Sequence, residues 1–191
     1  NAPTDAASQE HLGQIVPDAP YMLYVGRVDV MKGCRNLITA FLRYLDTHDT
    51  DLHLVLLGKQ TMSMPDHPRI QAPGAVNNAQ KEEAIRGATL VVNPSEYESL
   101  SLLMLEAWQF GIPVLVNGRS EVLVEHCLQS NGGLYYTNDD EFALALDLLL
   151  ANPALRDALG RQGKCYVAER YAWDTVEKIY VDFITQIGNG V

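Results

Sequence analysis

Two acids, Glu98 and Glu106, stand eight positions apart in the stretch Pro94 to Val114, PSEYESLSLLMLEAWQFGIPV. Glu98 lies in a polar loop after the apolar run Ala88-Thr89-Leu90-Val91-Val92. Glu106 lies among Leu102, Leu103, Met104, Leu105, Ala107, Trp108 and Phe110, apolar on every side. A helix that is apolar all round is normally buried. A carboxylate inside it must be paired or must bind something, because an unpartnered buried charge is very costly. Two cations, Arg27 and Lys32, share another loop, Gly26-Arg27-Val28-Asp29-Val30-Met31-Lys32-Gly33. Gly26 permits a tight turn and the close approach of a ligand. Beside a helix N-terminus, Arg27 and Lys32 form a diphosphate grip; the competing reading is two ordinary surface cations. Neither a Walker A loop nor G-x-G-x-x-G occurs, so the ATPase and dinucleotide fingerprints are both absent.

The spacing of the two acids narrows the chemistry. With Glu98 just before a helix and Glu106 two turns inside it, their backbones are expected ~12 Å apart along the axis. The carboxylates of a retaining glycosidase stand only ~5–5.5 Å apart. Two contacts at opposite ends of one long ligand, such as a nucleotide-sugar, fit this spacing better than a hydrolase dyad. Backbone N–H groups near Ser99, Leu100, Ser101 and Leu102 are candidates to receive an anion, aided by the helix dipole. Alternatively, Ser99 or Ser101 simply caps the helix.

These loops need elements to carry them. Tyr21 to Val25, Leu52 to Leu57, Leu90 to Val92, Val114 to Val116 and Gly133 to Tyr136 read as strands, with Ile70 to Ala72 weaker. Helices are expected over Asn36 to Tyr44, Asn78 to Arg86, Leu102 to Phe110, Val122 to Leu128, Asp139 to Ala151, Pro153 to Glu169 and Trp173 to Ile187. Gly111 and Pro113 stop the third of these. Strands apolar throughout, alternating with helices, predict an α/β fold: a doubly wound parallel sheet with helices on both faces. Ligands of such sheets sit beyond the C-terminal strand ends, where both loops fall. Asp49-Thr50-Asp51 has the D-x-D form of a metal pair, but it precedes a strand and reads as a turn at the opposite edge.

Composition excludes several classes. The 191 residues are expected to form a linker or lead-in over 1–20 and one domain over 21–191. A net charge of −10 argues against nucleic acid or an anionic membrane as partner. No apolar run approaches a ~18- to 20-residue membrane span. Cys34, Cys127 and Cys165 form neither a CxxC nor a Cys/His cluster, so reduced, cytoplasmic thiols are expected. The chain does not open on Met and shows no signal-peptide pattern, so a processed or excised piece is expected.

Gly26-Arg27 followed by Lys32-Gly33, Pro94-Ser95 through Glu98, Glu106-Ala107, and Gly111-Ile112-Pro113-Val114 together form a specific pattern. On these residues the chain resembles the C-terminal, nucleotide-sugar-binding domain of family 4 glycosyltransferases, the "glycosyl transferases group 1" domain of GT-B architecture, Rossmann-like in fold. The likeness runs from about Tyr21 to Ile187 and includes Gly132-Gly133-Leu134-Tyr135 and Tyr171-Ala172-Trp173. It implies a hexosyltransferase-type enzyme that moves a sugar from a UDP- or GDP-linked donor with retained configuration, with no cofactor and no catalytic metal. Arg27 and Lys32 would hold the diphosphate, Glu98 would contact the donor sugar, and Glu106 the ribose. Backbone amides from Leu100 to Leu102 would meet the phosphates, and the base would lie near Ala75-Val76. The chain departs from the family's Gly-Phe-Gly after the first Glu, having Ser99-Leu100-Ser101 instead. Losing both glycines narrows that loop's conformations. Asn117-Gly118-Arg119-Ser120-Glu121 departs from Gly-Gly-x-x-Glu, and Arg119 is read as a surface charge rather than an anion contact.

A GT-B enzyme closes two domains over its donor, and 191 residues hold only one. The resemblance therefore implies a donor-binding half, inactive without an N-terminal acceptor domain, through which alone a peripheral membrane contact would arise. The alternative is a non-catalytic nucleotide or sugar-phosphate binding module of the same fold. The closing helix places Val176, Ile179, Tyr180 and Phe183 on one face, which is expected to be partly exposed.

Overall fold

A computed structural model describes residues 15–188. Six strands run in chain order: β1 (Tyr21–Val25), β2 (His53–Leu57), β3 (Ile70–Gly74), β4 (Leu90–Asn93), β5 (Val114–Asn117) and β6 (Gly133–Tyr136). They form one sheet in the order β3-β2-β1-β4-β5-β6, and every neighbouring pair is parallel. The predicted doubly wound α/β fold is the one observed. Strands β1, β2, β4 and β5 are almost wholly buried because helices cover both of their faces. β3 lies at an edge, half-exposed, and there tolerates Pro73.

Seven helices are described: α1 (Cys34–Thr47), α2 (Asn78–Gly87), α3 (Leu102–Gln109), α4 (Glu121–Ser130), α5 (Asp139–Ala151), α6 (Pro153–Arg170) and α7 (Trp173–Gly188). α1 packs with α5 on one face of the sheet, while α3 contacts α2 and α6, and α6 contacts α4, on the other. Arg43 pairs with Asp139, and the Tyr44 hydroxyl donates to Asp147 at 2.7 Å, fastening α1 to α5. The first helix begins two residues earlier than its apolar spacing suggests, because Gly33 turns the chain directly into it. Asp49-Thr50-Asp51 sits just before β2, where Thr50 accepts from the Leu52 amide and Asp51 pairs with Arg69. It is a turn, as expected. On α7, Tyr180 and Phe183 are exposed, as predicted; the side chain of Ile179 lies outside the described residues. The expected lead-in over 1–20 lies mostly outside them too.

α6 seats on α3 through two glycines. A Cβ on Gly163 would lie 2.1 Å from Trp108 Cδ1, and one on Gly160 would lie 1.8 Å from the Gly111 carbonyl oxygen. Trp108 is fully buried there and donates its indole N–H to the Gly132 carbonyl at 2.8 Å. Beside it, His126 contacts the Tyr166 hydroxyl at 2.9 Å. Burial, aided by the Arg170 charge and opposed by Glu125, holds the His126 pKa below the ordinary imidazole value. The unfolded chain then takes up this proton first, so the contribution is full above about pH 6.5 and falls as pH drops through the folded value. Melting temperatures at pH 7.5 and 5.5 test this. His126→Gln should lose less stability on acidification than the parent, and an equal loss would remove His126 as a cause.

Candidate functional site

The strand order reverses between β1 and β4, so their following loops flank the crevice where ligands of open α/β sheets bind. The first loop, 26–33, is fastened from within. The Tyr24 hydroxyl donates to the Arg27 carbonyl at 3.0 Å. Asp29 pairs through one oxygen with Arg27 and accepts the Lys32 amide at 2.7 Å through the other. Asp29 is only 8% exposed. Burial raises its pKa, but the Lys32 amide and the Arg27 guanidinium together outweigh that and hold the carboxyl below its usual range. Gly33 then takes a left-handed φ of 76°, and a Cβ there would lie 2.2 Å from the Pro94 carbonyl oxygen. Only glycine satisfies both the backbone angle and that approach. As N-cap it offers no side-chain acceptor; the Cys34 amide donates instead to the Asp29 carbonyl at 3.2 Å, and the start of α1 carries no side-chain cap.

The second loop, 94–101, is closed by polar side chains buried at its base. Asn93 ends β4 and donates from Nδ2 to Ser101 Oγ at 2.9 Å, while its Oδ1 accepts the Ser95 amide at 3.0 Å. Ser101 caps α3 by accepting the Met104 amide at 3.3 Å. Of the two serines weighed from sequence, Ser101 is therefore the cap; Ser99 is exposed. Asn117, ending β5, donates from Nδ2 to the Pro94 carbonyl at 3.0 Å.

Across the crevice Lys32 Nζ meets Glu98 Oε1 at 2.9 Å, with the Glu98 side chain 14% exposed. This pair joins the two loops through the residues singled out by type. Arg27 shares the first loop but turns to Asp29, with its side chain 57% exposed. Glu106 pairs with Lys81 of α2 at 2.6 Å. Leu100 and Leu102 project outward, 41% and 65% exposed. α3 is thus not buried all round as its composition suggested: its Glu106 and Leu102 positions face outward at the crevice end. The premise of the ~12 Å axial separation, a helix running from next to Glu98, holds only in part. Glu98 sits four residues before α3 in irregular backbone, and only 102–106 follow a helical rise, ~6 Å. Val76 is half-buried in the loop between β3 and α2, on the same edge of the sheet.

Two hollows open beside the crevice. One of about 480 Å³ is lined by Asn36, Pro94, Glu96, Asn117, Arg119 and Tyr136, among others. The other, about 550 Å³, includes Glu98, Ser99, Arg119 and Ser120. Arg119 is exposed, as read from sequence, yet it borders both. Sequence reasoning missed Asp29, Lys81, Asn93 and Asn117. An Asn ending both β4 and β5 was a visible signal for two of them, since polar residues at apolar strand ends face ligand loops. Among the described residues no helix is long and apolar enough to cross a membrane.

Comparison with known proteins bears on this site. The family model for "Glycosyl transferases group 1" matches residues 9–165. A glycosyltransferase of Methanocaldococcus jannaschii is 29% identical over 171 residues, covering 84% of this chain and 43% of its own length. The alpha-maltose-1-phosphate synthase of Mycobacterium tuberculosis is 26% identical over 193 residues, covering 90% of this chain and 49% of its own length. The chain therefore spans less than half the length of either relative. Among solved structures, Anabaena Alr3699/HepE in complex with UDP and glucose superposes with a TM-score of 0.77 at 13% identity, covering 96% of this chain and 53% of that one.

Proposed function

The chain belongs to the glycosyl transferases group 1 family, and from that premise we propose that it is the donor-binding half of a retaining glycosyltransferase. The donor is a UDP- or GDP-linked sugar, and a second domain of the same protein supplies the acceptor contacts. The observation that carries this reading is the Lys32–Glu98 pair, which spans the crevice between the first and fourth strands. The UDP and glucose bound to the Anabaena protein support the choice of ligand class.

The chemistry follows from where charge develops. As the bond between the anomeric carbon and the diphosphate breaks, negative charge collects on the phosphate oxygens. Lys32 and Arg27 lie in one loop, beside the N-terminus of α1, and stabilise that charge without needing a metal. Glu98 exchanges its lysine partner for donor-sugar hydroxyls. The amides at the start of α3, around Leu102, receive a phosphate oxygen. Glu106 accepts from the ribose hydroxyls, and the base lies along the backbone at Val76. The free thiols Cys34, Cys127 and Cys165 fit a reducing, cytoplasmic setting.

Calorimetry with UDP and GDP tests the assignment. One of the two should bind, and Arg27→Ala or Glu106→Ala should each weaken it about 10- to 100-fold, as loss of a charged hydrogen bond predicts. Binding unchanged by both substitutions would overturn the site.

A further inference from the structure

Glu106 is held by a residue that the proposed reaction does not use. Lys81 stands in the first turn of α2 and places Nζ 2.6 Å from Glu106 Oε1, with side-chain exposures of 24% and 34%. Two features fix the backbone that carries Lys81. The turn before it is locked by a capping box, in which Asn77 accepts the Gln80 amide at 2.9 Å and Gln80 accepts the Asn77 amide at 3.0 Å. At the far end of α2, the Arg86 guanidinium lies 3.9 Å from the centre of the Phe110 ring just past α3. Beyond the Lys81–Glu106 pair itself, α2 is therefore held against α3 at its far end, and the backbone that carries Lys81 is fixed by a capped turn.

A half-exposed ion pair contributes little to folding, so stability does not account for this geometry. Orientation does. A carboxylate can accept along about four lone-pair directions, and Lys81 occupies only those of one oxygen. Held in one plane, the other oxygen is presented to a donor rather than sampling rotamers that binding would have to freeze.

We propose that Lys81 is a positioning residue that aims Glu106 at the vicinal hydroxyls of a ribose, and so sets the preference of the site for a ribonucleotide over a deoxyribonucleotide. This rests on the nucleotide-binding reading above. The test titrates the protein with UDP and GDP, then with the 2′-deoxy form of the tighter binder. Lys81→Met should weaken the ribonucleotide about tenfold and leave the 2′-deoxy ligand nearly unchanged, so the ratio collapses. Lys81→Arg should restore the ratio. Adding Glu106→Gln to Lys81→Met should cost little more, because the two act as one unit. A melting temperature within a degree or two of the parent shows that Lys81→Met folds.

The outcomes separate cleanly. If neither UDP nor GDP binds the parent protein, the nucleotide reading itself falls. If the ligand binds and Glu106→Gln collapses the ratio while Lys81→Met leaves it intact, the positioning role of Lys81 alone is overturned.

Discussion

Replacing Lys32 with methionine lowers sugar transfer by about 10²–10³-fold, the usual cost of removing one preorganised group from a site of developing charge. Two effects combine at this position. The leaving diphosphate loses a cation that is already in place, on a loop held by Asp29 and by the contact of Gly33 with Pro94. Before the donor arrives, Glu98, 14% exposed, also loses its partner and is left as a nearly buried free carboxylate. The second effect predicts a specific signature in the donor-free protein. Lys32→Met should melt below the parent, and adding Glu98→Gln should return part of that Tm by removing the unpaired charge, while the loss of transfer remains. Steady-state assays of the full protein with its donor check this. Activity within threefold of the parent would take Lys32 out of the reacting centre.

Gly160→Ala destabilises the fold, against the direction that helix propensity predicts. In an exposed helix interior the same change stabilises by up to about 1 kcal/mol. Here the new methyl carbon would lie 1.8 Å from the Gly111 carbonyl oxygen and 2.6 Å from its carbon, and both are backbone atoms that cannot rotate away. α6 must lift from the end of α3, which opens the seam around fully buried Trp108. Overpacking of this kind costs about 3 kcal/mol, or about 6–12 °C in Tm for a domain of this size. Gly163→Ala should act in the same direction, since its Cβ would meet Trp108 Cγ at 2.4 Å. A rise in Tm for either variant would show that α6 does not sit on α3 in this way.

The order of elements was legible because period and burial agree. β2 reads HLVLL and β4 reads LVVN, runs that only a strand covered on both faces needs, and helices separate most of the strands. The loops carrying Arg27, Lys32 and Glu98 were legible for the same reason: once the strands are placed, their C-terminal ends follow. What sequence could not supply was which residue meets which across the fold. Lys81 lies in a helix with no strong apolar face, so nothing local shows that it turns toward α3. Asp29 looks like a loop acid until its burial makes it the anchor of the Arg27 side chain and the Lys32 backbone. The Glu98–Glu106 spacing could not be read as helix rise alone, because residues 98–101 are not helical. Pairings of this kind depend on tertiary packing, which overrides local pattern.

The Pro94 carbonyl is a meeting point. It accepts from Asn117 at the end of β5 and lies where any side chain on Gly33, in the loop after β1, would strike it. Three strand-end loops thus converge on one backbone atom. For anyone exchanging loops between relatives to alter donor choice, this sets the unit of exchange. A loop moved alone brings the wrong neighbour to that atom, whereas the three moved together keep Gly33, Pro94 and Asn117 as a matched set. The transferable cassette is discontinuous in sequence and contiguous only at its fastening.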